Sequence, residues 1–383
     1  MKVVIDKDIP FLAGVLDRHA TVVSRAGSAI TKNDVQDADA LIVRTRTLCN
    51  AGLLQGTKVR FIASATIGFD HIDTKFCEAN GVQWTNAAGC NSSSVQQYVA
   101  AALFHLSNKL DVELARTTIG IVGVGNVGSK IARFCSAIGM RVLLNDPPRE
   151  RREGKGDFVP LETVVAESDI LTFHVPLNRD GPDKTVHLID RQMLSKMNPR
   201  QILINTSRGE VADTAALKSA LRTRSLAAAV VDVWEDEPAI DTDLLNLVTI
   251  GTPHIAGYSA DGKANGTAMS VRALSRYFHL GMDTWFPDGV PEPGDPVIAL
   301  DCAGLKRQKV FCKLVTRTYD ILADDQRLRN SPASFEHQRA AYPLRREFPA
   351  YKVKLSNTTK DIISTVQSLG FQIHDEDEQY TRS

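Results

Sequence analysis

The amino-acid sequence predicts an α/β protein: two doubly wound parallel-sheet domains followed by a small α+β domain at the C-terminus. Three observations carry that expectation. Short apolar runs alternate with helical stretches from the first residue, a glycine-rich turn opens a second series of runs, and a proline- and glycine-punctuated connector closes it. At 383 residues the chain has room for two or three domains of ~100 to 200 residues each.

Composition narrows the class. Apolar residues make up 43% and charged residues 23%, close to the soluble globular average, which excludes disorder as the main state. With 45 basic residues against 45 acidic ones, no overall field draws in nucleic acid or an anionic membrane surface, so any anion site must be local. No run reaches the ~18 to 20 apolar residues of a membrane span. Met1-Lys2-Val3-Val4-Ile5-Asp6 meets an acid too early for a signal peptide, so a cytoplasmic location is expected. Cys49, Cys77, Cys90, Cys135, Cys302 and Cys312 form no C-x-x-C pair and no zinc-finger spacing with histidine; they are expected as reduced thiols, with no metal.

In chain order, residues 3–5, 21–23, 41–43, 61–65 and 82–85 are apolar runs of the length and texture of buried parallel strands. A helix is expected over 94–109, where Val95, Tyr98, Val99, Ala102 and Leu103 recur at three- and four-residue spacing and serines 92–94 can cap the start. The second series runs through 118–124, 141–145, 170–173, 201–205, 227–231 and 247–250, six strands for one dinucleotide-binding, Rossmann-type sheet. Residues 286–296 contain four prolines and two glycines, which end any helix there. A smaller domain is expected beyond, with Arg327, Arg329, Arg339, Arg345 and Arg346 clustered in it.

Gly123-Val124-Gly125-Asn126-Val127-Gly128 follows a strand and opens a helix, where glycines permit a tight turn and let a pyrophosphate approach the helix N-terminus. Asp146 closes the next strand, where a carboxylate accepts hydrogen bonds from a ribose 2'-OH and repels a 2'-phosphate, so NAD is favoured over NADP. The bland alternative, a glycine-rich packing turn, leaves the strand-end acid unexplained. Three further segments place polar residues after apolar strands, at the carboxyl edge where open α/β sheets bind ligands: Asn205-Thr206-Ser207-Arg208-Gly209, Asp232 to Pro238, and Thr252-Pro253-His254-Ile255-Ala256-Gly257. Oxidation of an alcohol beside a carboxylate needs a base, a hydride acceptor and a cation. His254 suits the first task, Glu237 can orient that ring, and Arg208 offers a planar fork for a carboxylate. Singly, each has a bland reading as a surface ion pair, a solvated acid or a bonded loop residue; placed together after successive strands they point to catalysis.

The fingerprint with Asp146, His174-Val175-Pro176-Leu177, and the three polar segments resemble the D-isomer-specific 2-hydroxyacid dehydrogenase family over roughly residues 1–280. The resemblance implies Arg208, Glu237 and His254 as catalytic triad. It implies NAD contacts at Gly123, Gly125, Asn126, Val127, Gly128, Asp146, Val175, Asp232 and Gly257, Asp232 facing the carboxamide and Val175 and Gly257 acting through backbone. It also implies a cleft between a discontinuous substrate-binding domain, 1–93 with 257–282, and an NAD-binding domain, 94–256.

Ala65-Thr66-Ile67-Gly68-Phe69-Asp70-His71-Ile72-Asp73, Gly89-Cys90-Asn91 and Tyr342-Pro343-Leu344-Arg345-Arg346-Glu347-Phe348 further resemble a family member that takes a phosphorylated 2-hydroxy acid and dimerises through a C-terminal domain, here 290–383. That implies substrate contacts at Thr45, Thr66 and Tyr258 and a homodimer. The substrate carboxylate is expected on Arg208 and on backbone N–H groups near Ile67 and Gly68. The cations for its phosphate stay open among Lys7, Arg44, Arg46 and the Arg345/Arg346 pair, which either reaches a partner's cleft or lies on a solvated helix face. Ala88 and Arg46 depart from that member's pattern. Two rival functions share these motifs: another dehydrogenase of the family, such as one for 3-phosphoglycerate, and a non-catalytic NAD-sensing scaffold.

Overall fold

The structure, a computed structural model, describes residues 1–374; residues 375–383 of the expected C-terminal domain lie outside the described residues. Two compact units emerge, Met1–Asn91 with Ser259–Pro291, and Ser92–Tyr258 with the segment from Glu292 onward.

The first unit holds a parallel sheet of β1 (Lys2–Asp6), β2 (Thr21–Arg25), β3 (Ala40–Val43), β4 (Phe61–Ser64) and β5 (Gln83–Asn86) in the order β2-β1-β3-β4-β5. The central β3 and β4 are buried along their whole length, whereas the edge strands β2 and β5 are partly exposed, as their Ser24, Arg25 and Gln83 require. The helix Ala260–Phe278 returns to this sheet, with Ser259 capping its start by accepting the Gly262 N–H at 2.8 Å. Its Val271 and Leu274 pack on Ile5, Ile42, Phe61 and Ala63. Gly266 lets it lie against the Ala65 carbonyl, where a Cβ would come within 2.7 Å.

The second unit carries the expected six-stranded parallel sheet: β6 (Thr118–Val122), β7 (Arg141–Asn145), β8 (Ile170–Phe173), β9 (Ile202–Asn205), β10 (Ala228–Val231) and β11 (Ile250–Gly251), ordered β7-β6-β8-β9-β10-β11. The strand expected over 247–250 is shorter and later, because Asp241 caps a helix over Thr242–Leu247 by accepting the Leu244 N–H at 2.8 Å. The helix expected over 94–109 spans Ser92–Leu110 and is buried along most of its length. Beyond 292, β12 (Val297–Asp301), β13 (Lys352–Ser356) and β14 (Gln372–Ile373) form a small parallel sheet with helices between them. One apolar cluster runs without a break from Val99, Phe104 and Ile121 to Phe311, Phe348 and Val353. The C-terminal segment therefore shares a core with the six-stranded sheet of this unit.

All six cysteines are free and buried. Among the described residues no helix is long and apolar enough to cross a membrane.

Candidate active site

The three fingerprint glycines of the second unit serve three physical needs. Gly123 ends β6 with φ +87°, a left-handed backbone in which a Cβ would also meet the His174 carbonyl at 2.6 Å. Gly128 packs the following helix, Asn126–Ala137, onto the turn: a Cβ there would stand 2.0 Å from the Gly123 carbonyl. Gly125 is different, since a Cβ on it would meet nothing within 4 Å. It is exposed, as is Asn126, at the helix N-terminus where the first N–H groups lack intrahelical acceptors. That open, donor-lined approach fits a pyrophosphate. Val127 is half-buried behind it.

Asp146 stands half-buried at the end of β7. Its Oδ2 accepts the Val124 N–H at 2.8 Å and its Oδ1 accepts the Arg149 N–H at 3.0 Å, so it ties the fingerprint turn to the next strand. Each oxygen keeps a second lone pair for a ribose hydroxyl. Val175 lies beside Gly123, its Cγ1 at 2.9 Å from the position of an added Cβ.

His174, which sequence reasoning assigned no role, is held between Thr172 Oγ1 at 2.8 Å and Thr206 Oγ1 at 3.1 Å, and burial pushes its imidazole down to about 3. It is neutral at physiological pH. Its signal in the sequence was its place directly after β8, at the carboxyl edge of the sheet.

The three polar loops meet through backbone. Gly209 lies so close to the Trp234–Glu235 peptide that a Cβ would stand 1.9 Å from the Trp234 carbonyl, which brings the Arg208 loop onto the loop carrying Glu237. Asn205 fixes the first of these loops: Oδ1 accepts Ser207 Oγ–H at 2.7 Å, and Nδ2 donates to the Arg208 carbonyl at 3.0 Å. Arg208 Nη1 donates to the Ser207 carbonyl at 2.8 Å, and no carboxylate among the described residues pairs with its guanidinium. The remaining N–H groups of the fork are available to a carboxylate ligand.

Glu237 joins the second loop to the third. Its Oε1 accepts the Trp234 N–H at 2.9 Å and its Oε2 lies 2.7 Å from His254 Nδ1. Burial alone would raise this carboxyl; the hydrogen bond and charge of His254, the Trp234 amide and the Arg339 guanidinium carry it below the usual range. The ring nitrogen Nδ1 is thus committed to Glu237, leaving Nε2 for a substrate.

The His254 backbone sits at φ +55°, a conformation that costs about 1–3 kcal/mol for a residue with a side chain. Asp232, at the end of β10 and 1% exposed, holds it there. The Asp232 carbonyl accepts the His254 N–H at 2.7 Å, Oδ1 accepts Thr252 Oγ1–H at 2.6 Å and Ile255 N–H at 2.8 Å, and Oδ2 accepts Ala256 N–H at 3.0 Å. Asp232, expected from sequence as a carboxamide contact, also supports the neighbouring residues 252–256 through these bonds. Burial raises its carboxyl, offset in part by His254 and these hydrogen bonds. Tyr98 OH closes the set on Thr252 Oγ1 at 2.7 Å. Sequence reasoning placed Tyr98 only in an apolar stripe, although a buried phenol needs a polar partner.

The other expected contacts fall as follows. Gly257 and Tyr258 end the His254 loop, and the Tyr258 ring lies edge-on to Tyr342 with centroids 5.8 Å apart. In the first unit, Thr45 is exposed two residues past β3, and Thr66 lies two residues past the neighbouring β4, with Oγ1 2.8 Å from Ser64 Oγ. Arg44 donates to Asp6 Oδ2 at 3.1 Å. The Arg345/Arg346 pair is on no solvated face: the residues are 5% and 9% exposed.

Comparisons with known proteins bear on the family and the fold. A family model described as the NAD-binding domain of D-isomer specific 2-hydroxyacid dehydrogenases matches residues 91–256, and a domain of unknown function, DUF3410, matches 293–370. The chain is 48% identical over 357 residues to an erythronate-4-phosphate dehydrogenase of Bacteroides fragilis, covering 93% of this chain and 100% of that one. It is 38% identical over 374 residues to one of Serratia proteamaculans, covering 97% and 99%. Among solved structures, a D-lactate dehydrogenase of Aquifex aeolicus complexed with NAD and lactic acid is similar, with TM-score 0.59 and 25% identity over 76% of this chain and 99% of that one. A D-2-hydroxyisocaproate dehydrogenase shares the fold, with TM-score 0.60 and 21% identity over 76% and 100%.

Proposed function

Since the chain belongs to the erythronate-4-phosphate dehydrogenases, D-isomer-specific 2-hydroxyacid dehydrogenases in their NAD-binding domain, we propose that it oxidises 4-phospho-D-erythronate to 2-oxo-3-hydroxy-4-phosphobutanoate in pyridoxal 5'-phosphate biosynthesis. Bound NAD supplies the hydride acceptor. Gly125, Asn126 and Val127 would hold its pyrophosphate at the helix N-terminus, Asp146 its ribose, and Val175 and Gly257 its nicotinamide end through backbone.

Arg208 receives the substrate carboxylate, its fork unspent on any acid among the described residues. His254 Nε2 takes the C2 hydroxyl proton as the C2–H bond yields its hydride. The positive charge that builds on the ring is met by Glu237 at 2.7 Å, and this contact is the observation that carries the chemistry. Thr45, Thr66 and Tyr258 complete the substrate contacts in this reading. The free, buried cysteines support a reducing, cytoplasmic location. We further propose a homodimer formed through the C-terminal segment, which light scattering of the purified chain tests directly.

The decisive experiment follows NADH absorbance with 4-phosphoerythronate, 3-phosphoglycerate and D-lactate side by side. The first should be turned over with the highest kcat/KM; preference for either of the others, or NAD binding without turnover, overturns the assignment. His254→Asn should lower kcat by ~10² to 10⁴ with folding intact.

A further inference from the structure

The loop carrying His254 is gripped by groups from beyond residue 292, all within the same compact unit. Asp325, on the helix Ile321–Asn330, accepts the Gly251 N–H at 2.7 Å. Arg345 donates from Nη2 to the Ala256 carbonyl at 2.5 Å. Arg339 lies over the ring of Tyr258, its guanidinium carbon 5.7 Å from the centroid.

Arg345 is the least expected of these. Its guanidinium is stacked over Tyr319 at 4.5 Å, deep in the unit, and its Nε and Nη1 have no hydrogen-bond partner among the described residues. A second contact from Nη2 to the Ser94 carbonyl is long, at 3.4 Å. Burial works against this charge, and Tyr342, Tyr319, Glu347 and Asp232 around it more than offset that. A cation taken this far from water, with one short hydrogen bond, concentrates its effect on that one acceptor.

The acceptor is informative. Ala256 gives its N–H to Asp232 and its carbonyl to Arg345, so a buried anion and a buried cation bracket the residue. The Ala256 carbonyl shares a peptide plane with the Gly257 N–H, and in a trans peptide the two point in opposite directions. Fixing the oxygen on Arg345 therefore aims the Gly257 N–H away from Arg345. Drawing electron density to that oxygen also makes the N–H a stronger donor.

We propose that Arg345 is a positioning residue for the dinucleotide: through the Ala256 carbonyl it aims and polarises the Gly257 amide, making the C-terminal segment part of the cofactor site. The inference rests on the reading of this chain as an NAD-dependent dehydrogenase whose Gly257 amide meets NAD.

The test uses the full-length chain with Arg345→Met and Arg345→Lys. NADH affinity is measured by fluorescence titration, KM and kcat by NADH absorbance, and amide hydrogen exchange over 251–258 in ligand-free protein. Arg345→Met should weaken NADH binding by about tenfold, the scale of one lost charge-assisted hydrogen bond. KM for the hydroxy acid should move less than about twofold, and the Gly257 amide should exchange faster in the ligand-free chain. Arg345→Lys keeps a cationic donor and should recover most of the affinity. A folded Arg345→Met chain that binds NADH within about twofold of the parent overturns the proposal, as does equal loss in the two variants. If the methionine variant does not fold, unchanged NADH affinity and Gly257 exchange in the lysine variant support the proposal, and a lysine variant that binds NADH about tenfold more weakly than the parent overturns it. Failure of the dehydrogenase reading looks different: the parent would bind NADH and leave 4-phosphoerythronate untouched.

Discussion

Replacing Glu237 by glutamine tests the acid–base arrangement most sharply, because the change is nearly isosteric and its two oxygens have separate tasks. Oε1 accepts the Trp234 N–H at 2.9 Å and Oε2 faces His254 Nδ1 at 2.7 Å. In Glu237→Gln the amide oxygen can serve only one of them. If it stays on Trp234, the NH₂ group faces Nδ1, which must then act as acceptor, and the proton moves to Nε2, where it blocks the base. If the amide flips, the His254 contact survives as a neutral hydrogen bond and the Trp234 N–H is orphaned. The second state loses the difference between a charge-assisted bond and a neutral one, about 1–1.5 kcal/mol, plus about 1–3 kcal/mol for the unsatisfied buried donor. Those losses together convert to a fall in kcat of roughly 30- to 1,600-fold at about 1.4 kcal/mol per decade. The assay is steady-state NADH formation at saturating NAD and 4-phosphoerythronate, with a thermal melt to confirm folding and an NADH titration to confirm that the glycine cradle is intact. A folded Glu237→Gln chain whose kcat stays within about threefold of the parent would refute the pairing as the source of catalysis.

Further outcomes follow from the same geometry. Arg208→Lys replaces a planar fork by a point charge, and should raise KM for the hydroxy acid by roughly 10- to 100-fold while leaving NADH binding unchanged; isothermal titration with NADH and initial rates over substrate concentration separate the two. Gly125→Ala should fold normally and lose NADH affinity, because its Cβ enters open space at the helix N-terminus, whereas Gly128→Ala should lower the melting temperature, because its Cβ meets the Gly123 carbonyl at 2.0 Å; equal melts for the two variants would contradict this. His174, pushed down to about 3 by burial, binds its proton in the unfolded chain near pH 6.5 and in the folded chain only near 3, so the stability it contributes is full above ~6.5 and drains away as pH falls towards 3. Between those limits it adds a slope of up to about 1.4 kcal/mol per pH unit. Denaturant melts of parent and His174→Asn from pH 4 to 8 should show a shallower acid decline in the variant.

Strands buried on both faces were readable from apolar runs alone, as in β3, β4, β8 and β10, because no other periodicity competes in four consecutive buried residues. The stretch 242–250 was not: Leu244, Leu245, Leu247 and Val248 suit either state, and the Asp241 cap decides for helix over its first part. The residues of the candidate site were legible as types at strand ends, since the carboxyl edge of a parallel sheet is where loops converge. Their wiring was not. That both oxygens of Asp232 reach across to the neighbouring loop depends on the path of residues 252–256, and nothing in local composition states it. The burial of Arg345 was equally hidden, because a sequence presents an arginine as solvated until tertiary partners are known.

Those two hidden residues explain why a histidine can occupy a left-handed backbone at the point of chemistry. At φ +55° His254 has a strained main chain, and a flexible loop would relax it by turning the ring away from Glu237. Asp232 blocks that escape on one side, because three loop amides, at His254, Ile255 and Ala256, all end on its carbonyl and carboxylate. Asp325 at Gly251 and Arg345 at Ala256 block it on the other, by fixing both ends of the same loop from the C-terminal segment. Releasing one end should therefore cost ring orientation before it costs the fold: Asp325→Ala, which removes the acceptor of the Gly251 N–H, should lower kcat by a few-fold with little change in KM. A lower melting temperature with kcat unchanged in the folded variant would show that the brace serves stability alone.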